Sequence, residues 1–230
     1  MIGRIRNLLR GLLGEERFIT FRGWWWRVRL RFGDYEPETR ALDALVPEGG
    51  VCVDAGGHFG QYAQILSRLA GPRGVVHSFE PLAYNRRVFE LVLRAPNVVL
   101  HPVALGAARG SVRIEVTARN TGEAHVSEAS GDVVDVMPLD DLDLPRLDFI
   151  KIDVEGFEVD VLRGGARLIE RFRPAILCEI QEHSRRYGHT PEEVFALLAA
   201  SGYRAHVWED GKLVAVDGPK RGTINYIFTR

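Results

Sequence analysis

Three acidic segments, each directly behind an apolar run, hold the residues of this chain most suited to chemistry. The first is Asp54-Ala55-Gly56-Gly57-His58-Phe59-Gly60, behind Val51-Cys52-Val53. Its small residues let backbone approach a ligand, and the helix expected next offers free N–H groups. The second is Glu80, in Phe79-Glu80-Pro81. A carboxylate there can accept hydrogen bonds from both hydroxyls of a ribose, as a nucleoside-containing cofactor requires. The third is Phe149-Ile150-Lys151-Ile152-Asp153-Val154-Glu155-Gly156-Phe157-Glu158.

Two cofactor classes fit a glycine turn followed by such an acid. A nicotinamide dinucleotide needs Gly-x-Gly-x-x-Gly with its pyrophosphate at the helix N-terminus. Here the glycines fall at 56, 57 and 60, and Asp54 lies where it would repel the anion. S-adenosylmethionine has no phosphate but carries an amino group and a sulfonium, so a carboxylate at 54 is favourable, directly or through water. The pattern favours the methyl donor.

The elements that position these groups follow from patterning. Apolar runs at 51–54, 75–79, 98–103, 147–154 and 175–180 read as strands. Helical spacing covers 38–45, 60–70, 84–94, 159–171 and 191–201, the last introduced by Thr190. This β-α-β-α-β order predicts a parallel sheet with helices on both faces, whose ligands bind at the carboxyl ends of the strands. Residues 111–116 and 133–137 alternate polar and β-branched types and predict an inserted hairpin, with a Gly- and Ser-rich, mobile loop at 121–132. Segments 204–208 and 223–228 complete the sheet as an antiparallel pair.

With these motifs in hand, the chain resembles the FkbM family of methyltransferases. The resemblance rests on the loop from Asp54 to Gly60, on Phe79-Glu80-Pro81 and Ala104-Leu105-Gly106, on Ile150 to Glu158, and on Val161-Leu162-Arg163-Gly164. It runs from about residue 35 to 179, and the fourth-strand motif is its most specific part. It implies a Rossmann-like class I methyltransferase: an α/β fold with a doubly wound, mostly parallel seven-stranded sheet and an inserted hairpin. It implies methyl transfer to a hydroxyl of a sugar, glycolipid, polyketide or similar small molecule or glycan. By position, Asp54, Gly56 and Gly60 would hold the methionine part, with Gly57, His58 and Phe59 in the same loop. Glu80 would take the ribose, Phe79, Pro81 and Ala104 would flank the adenine, and Asp153 would face the donor. Gly57 stands where the family usually has Ala, a small-for-small change expected to be harmless. His58 stands where Asn is commonest.

Transfer from a sulfonium is an in-line displacement in which positioning does most of the work. An aliphatic hydroxyl is a poor nucleophile, so a base or a metal helps to remove its proton. Asp153 is the first candidate and Glu155 the second; the competing structural reading is that both cap the following helix. Glu179 and His183 could add an acid/base group, or join Asp153 around magnesium or manganese, although no tight ligand spacing is visible. His183 also reads as a surface residue. Lys151 is expected to pair near the sheet and Glu158 to bond in the first helical turn. His77, His101, His125, His189 and His206 show no partner pattern. An Asn/Asp-Pro-Pro-aromatic turn, usual for amino-group methylation of bases, is absent, which disfavours an N-methyltransferase acting on DNA. The other alternative is a methyltransferase-like binding protein without turnover.

Bulk properties narrow the classes further. The chain has 230 residues, 46% of them hydrophobic, and a net charge of −1, which argues against a nucleic-acid-coating protein. Residues 1–33 hold eight Arg against two Glu, a surplus of +6, which leaves the remainder at −7. We read 1–34 as a basic, Trp-rich extension and 35–230 as the catalytic domain. Residues 1–13 carry apolar positions at helical spacing with Arg between them, an amphipathic basic helix. Trp24, Trp25 and Trp26 cannot all face one side of a regular element. Packing on the domain or on a second subunit, a lid, and a peripheral membrane contact are the open readings. The cysteines, Cys52 and Cys178, lie in apolar strands. No apolar run is long enough to span a bilayer and no secretory signal is evident, so the expected compartment is the cytoplasm.

Overall fold

The computed structural model describes residues 11–33, 36–116, 124–126 and 131–230. Helix α1 (Glu15–Arg31) is followed by a 3-10 turn (Pro37–Ala41) and α2 (Leu42–Leu45). Then come β1 (Val51–Ala55), α3 (Gln61–Ala70), β2 (Val75–Phe79), α4 (Ala83–Val92) and β3 (Val98–His101). Four short strands follow: β4 (Ala104–Leu105), β5 (Gly110–Val116), β6 (Ala124–Val126) and β7 (Asp132–Met137). The chain continues through β8 (Phe149–Ile152), α5 (Glu158–Gly164), α6 (Ala166–Phe172) and β9 (Ala175–Glu179). A 3-10 turn (Glu182–Tyr187), α7 (Pro191–Ala200), β10 (Arg204–Glu209), β11 (Lys212–Val216) and β12 (Asn225–Thr229) complete it.

The main sheet has the order β11-β10-β12-β9-β8-β1-β2-β3. Its five central and flanking strands β9, β8, β1, β2 and β3 are parallel, while β12 runs antiparallel to β9 and to β10. The expected class is therefore present, with one correction: eight strands instead of seven. The additional strand, β11, turns back from β10 at Asp210-Gly211, both with positive φ (50° and 78°). Asp-Gly is the strongest short hairpin signal a sequence offers, because both central residues of a type I′ turn need left-handed backbone.

The inserted pair, β5 and β7, is antiparallel as expected, but it belongs to a separate four-stranded sheet in the order β4-β7-β5-β6. The expected helix over 159–171 is two helices, broken at Gly165, whose added Cβ would press on Leu139 at 3.0 Å. The helix over 38–45 begins as a 3-10 turn at Pro37. The amphipathic helix at 1–13 lies mostly outside the described residues, as does most of the loop at 121–132.

Alternation across the pleat decides which side chains meet. Val53 and Ala55 of β1 join Val159, Leu162 and Leu168 on one face, whereas Cys52 joins Ala63, Leu66 and Phe149 on the other. The polar residues Asp54, Ser78, Lys151 and Glu179 follow the second set by period two. They end up together at the carboxyl edge, under α3. Helix α1 packs on α4, where Ile19 and Leu30 share a cluster with Phe59, Val88 and Val92. Of the three consecutive tryptophans, Trp26 is turned inward, while Trp24 and Trp25 are exposed. Among the described residues, no helix is long and apolar enough to cross a membrane.

Candidate active site

One cleft of about 170 Å³ opens at the carboxyl ends of β1, β2 and β8. Its floor is the turn after β1. Gly56 (φ +88°) and Gly57 both donate their N–H to the Phe79 carbonyl, at 3.0 and 2.9 Å. A Cβ on Gly56 would lie 1.9 Å from the Asp153 carbonyl oxygen, so only glycine allows the β1 and β8 loops to meet. His58 follows with φ +43°, a region that Asn and His enter more readily than most residues, which accounts for either at this position. Burial holds the His58 imidazole down at about 4, against an opposing pull from Asp153. The ring is therefore neutral at physiological pH.

Glu80 forms one wall. It is buried, its Oε2 accepts the His58 N–H at 2.9 Å and its Oε1 the Leu82 N–H at 2.8 Å. Burial pushes its carboxyl up to about 7, and the hydrogen bonds from Leu82, Asn85 and His58 oppose that rise. Asn85 is equally buried in the same wall, and its Oδ1 has no hydrogen-bond partner among the described residues. Phe79, Pro81 and Leu82 continue the surface, and Ala104, Val112 and Ile114 from the small sheet face them.

At the other end stand Asp153 and Glu155. Asp153 Oδ2 lies 3.3 Å from Nζ of Lys151, which is buried and sits over the Tyr62 ring at 4.7 Å. Burial opposes the charge on Lys151, but Asp153, Glu179, Glu36 and Asp54 outweigh it and keep the ammonium above its ordinary pKa. Glu179 is pushed up to about 7 by burial, with Asp153 adding to the rise. Glu155, at φ +55°, bonds His183 through Oε2 and Nδ1 at 2.9 Å. Glu158 accepts the Gly156 N–H at 2.8 Å, which is the first-turn role expected for it.

Of the anticipated donor-binding residues, Gly56, His58, Phe79, Glu80, Pro81, Ala104 and Asp153 line the cleft. Asp54, Gly57, Phe59 and Gly60 stand behind that surface. Asp54 is buried and takes a hydrogen bond from Ser78 Oγ at 2.8 Å. Burial raises its carboxyl to about 6, and the Ser78 bond and Lys151 work against the rise. Phe59 is turned into the cluster beneath α1, stacked on His58 at 3.7 Å. Gly60 (φ +86°) caps α3 in left-handed backbone. The Gly57 exchange needs revision: a Cβ there would lie 2.2 Å from Ser78 Oγ, so in this chain serine occupies the space an alanine methyl would fill.

Asp153, Glu179 and His183 are not gathered into a metal site. His183 turns to Glu155, and among the described residues no group of three or more His, Cys, Asp or Glu side chains is placed to hold an ion. Four histidines taken as ordinary do have partners. His77 Nδ1 and His101 Nε2 lie 3.0 Å apart, His189 bridges Asp160 and Glu193, and His206 Nδ1 lies 3.3 Å from the Ile227 carbonyl oxygen. Sequence reasoning missed Asn85, although the signal was there: it is the polar member of the buried stripe Asn85, Val88, Phe89, Val92. Val112 and Ile114 had no signal, because nothing local ties the inserted strands to the cleft.

Residues 54–205 match the methyltransferase FkbM domain. The chain belongs to the FkbM methyltransferase family. A hexuronic acid methyltransferase, AglP, of Haloferax volcanii is 27% identical over 185 residues, 76% of this chain and 71% of that protein. Methyltransferase 1 of Beauveria bassiana is 27% identical over 151 residues, 53% of this chain and 60% of that one. The crystal structure of a methyltransferase FkbM from Methylobacillus flagellatus superposes with a TM-score of 0.54 at 21% identity. That match covers 79% of this chain but 44% of the other, so this chain spans less than half of that protein and the likeness speaks for the fold.

Family and fold together support S-adenosylmethionine as the methyl donor, and the cleft suits it. A bare, buried amide oxygen costs about 1–3 kcal/mol unless a donor reaches it. A nucleoside supplies such donors, from ribose hydroxyls or an exocyclic amine. Glu80, beside Asn85, lines the same part of the cleft.

Proposed function

We propose that this protein methylates a hydroxyl oxygen of a sugar, using S-adenosylmethionine. When bound, that donor supplies an electrophilic methyl carbon on a sulfonium. Glu80 and Asn85 would hold the ribose end, Phe79, Pro81, Ala104 and Leu82 the base, and the Gly56 turn the methionine end. Asp54 acts at one remove, by fixing Ser78 and through it the turn. Asp153 presents its carboxylate toward the reacting end, anchored by Lys151.

The acceptor's proton goes to the pair Glu155–His183. An ionised carboxylate only accepts hydrogen bonds, so Glu155 selects the tautomer with the proton on Nδ1. Nε2 is then the basic atom, in the arrangement that makes histidine a general base. A sugar acceptor is supported by the relative named for a hexuronic acid. Oxygen transfer is supported by the absence of a Pro-Pro-aromatic turn behind Asp153.

The observation that carries this reading is that Glu80, Asn85, Asp153 and Glu155 line a single cleft. The test is a labelled-methyl assay against a panel of neutral, amino and acidic sugars, with separate arms containing magnesium and EDTA. Label on a sugar oxygen is the expected result. Label confined to nitrogen, or heat-free calorimetric titration with S-adenosylhomocysteine, would overturn the proposal.

A further inference from the structure

Helix α1 has two apolar faces, and the fold uses only one. Ile19 and Leu30, with Trp26, pack on α4 and Phe59, and Gly23 fits closely over Leu91. The opposite face, at the spacing 17, 21, 24, 25 and 28, carries Phe21, Trp24 and Trp25, and Phe32 follows just past the helix end. Trp24 is 58% exposed, Trp25 50% and Phe32 83%. Arg17 is exposed on this face, and Arg31 and, farther round the helix, Arg27 are exposed beside it. The helix's two acids fall outside this face, and Glu16 is engaged by Arg87 of α4.

We propose that this face docks the protein on an anionic phospholipid bilayer. Tryptophan and phenylalanine suit the boundary between headgroups and acyl chains, and arginine beside them suits anionic headgroups. The charge pattern argues against two other occupants. A second copy meeting this face symmetrically would bring Arg17, Arg27 and Arg31 against their own counterparts. The segment before residue 11 carries Arg4, Arg6 and Arg10 and would meet the same repulsion. A long polyanion such as RNA would have to run past the rest of the chain, which carries −7. A bilayer needs only the exposed side of the helix, and charges farther than about 8 Å are screened at physiological salt. This inference does not depend on the methyl-transfer reading.

The test is co-sedimentation of the full-length protein with vesicles of phosphatidylcholine alone, or of phosphatidylcholine with 30% phosphatidylglycerol. Binding to the mixed vesicles, weakened by 0.5 M salt, is expected. The variant Phe21→Ser/Trp24→Ser/Trp25→Ser should bind at least tenfold more weakly. Each of Arg17→Gln, Arg27→Gln and Arg31→Gln should lower binding about fivefold. Because these side chains are exposed, all variants should keep the parent's circular dichroism and its affinity for S-adenosylhomocysteine. No binding to the mixed vesicles would overturn the proposal, as would equal binding by the triple aromatic variant. Concentration-dependent dimers abolished by the aromatic variant, without vesicle binding, would assign the face to a second copy instead. Retained vesicle binding without affinity for S-adenosylhomocysteine would sink the methyl-transfer reading and leave this one standing.

Discussion

Replacing Gly57 by alanine probes how the donor turn is held. The backbone there is not left-handed, so alanine is allowed conformationally, and the change would by itself stabilise by about 0.4–1 kcal/mol through the unfolded chain. Against this stands the contact of 2.2 Å between the new Cβ and Ser78 Oγ, where ordinary contact begins near 3.4 Å. Ser78 is fully buried between strands, so relief requires its hydroxyl to rotate away from Asp54. That breaks a bond to a buried carboxyl group, a loss of about 1.5–3 kcal/mol. Gly57→Ala is therefore expected to destabilise by about 2 kcal/mol. Ser78→Ala loses the same bond and should destabilise similarly. The double variant should be no worse than Ser78→Ala, because the bond is already gone and the methyl introduced at position 57 fills the space of the hydroxyl. The predicted coupling is about 2 kcal/mol, read from urea unfolding of the four proteins, with S-adenosylhomocysteine titration as a second readout. Additivity within about 0.5 kcal/mol would refute the reasoning.

Three further outcomes follow from the site. Burial raises Glu80 to about 7, so the unliganded protein must release that proton to accept ribose hydroxyls. Affinity for S-adenosylhomocysteine, measured by calorimetry, should be level above about pH 8 and fall toward tenfold per unit below pH 7, a fall that Glu80→Gln abolishes along with most of the affinity. Because the folded value lies above the ordinary 4.5, Glu80 contributes stability below that value and loses it as pH rises through 7, on the order of 3 kcal/mol. Lys151→Met removes the cation held among Asp153, Glu179, Glu36 and Asp54 and should destabilise by about 3–5 kcal/mol at pH 8. The penalty should shrink at pH 5.5 as Glu179 and Asp54 take up protons, and a penalty independent of pH would contradict the electrostatic account. His183→Ala should lower kcat by at least about 10²-fold while leaving the dissociation constant of S-adenosylhomocysteine unchanged. An equal loss in both would make His183 a structural support for the Glu155 loop.

The amino-acid sequence determined the order of the main-sheet strands other than β11 and of the helices between them, and which loops border the cleft. Short apolar runs that end in glycine or acid and alternate with segments of helical spacing read as strands of a parallel sheet, whose carboxyl ends bear the ligand site, and that pattern is local. Gly56, Glu80 and Asp153 were legible for this reason: each is the first residue beyond a strand, where chain direction alone aims it at the cleft. The hairpin to β11 is legible too, through Asp210-Gly211, although its strand is short and exposed and gives little apolar pattern of its own.

Only the tertiary structure decided what faces the cleft and what supports it from behind. Asp54 carries the acid expected to touch the donor, yet the pleat turns it toward Ser78 and Lys151 under α3. The same alternation, set by register between strands far apart in sequence, gathers Asp54, Ser78, Lys151 and Glu179 on one face. The helical stripe marks Asn85 as buried but not that it faces Glu80, nothing local ties Ser78 to Asp54, and Val112 and Ile114 came from a separate sheet. Glu155 and His183 meet across 28 residues because Gly156 lets its loop lie against the His183 backbone, where a Cβ would come within 2.8 Å. Periodicity fixes which side of an element is apolar; it takes packing between elements to decide which polar atoms are left with partners and which with none.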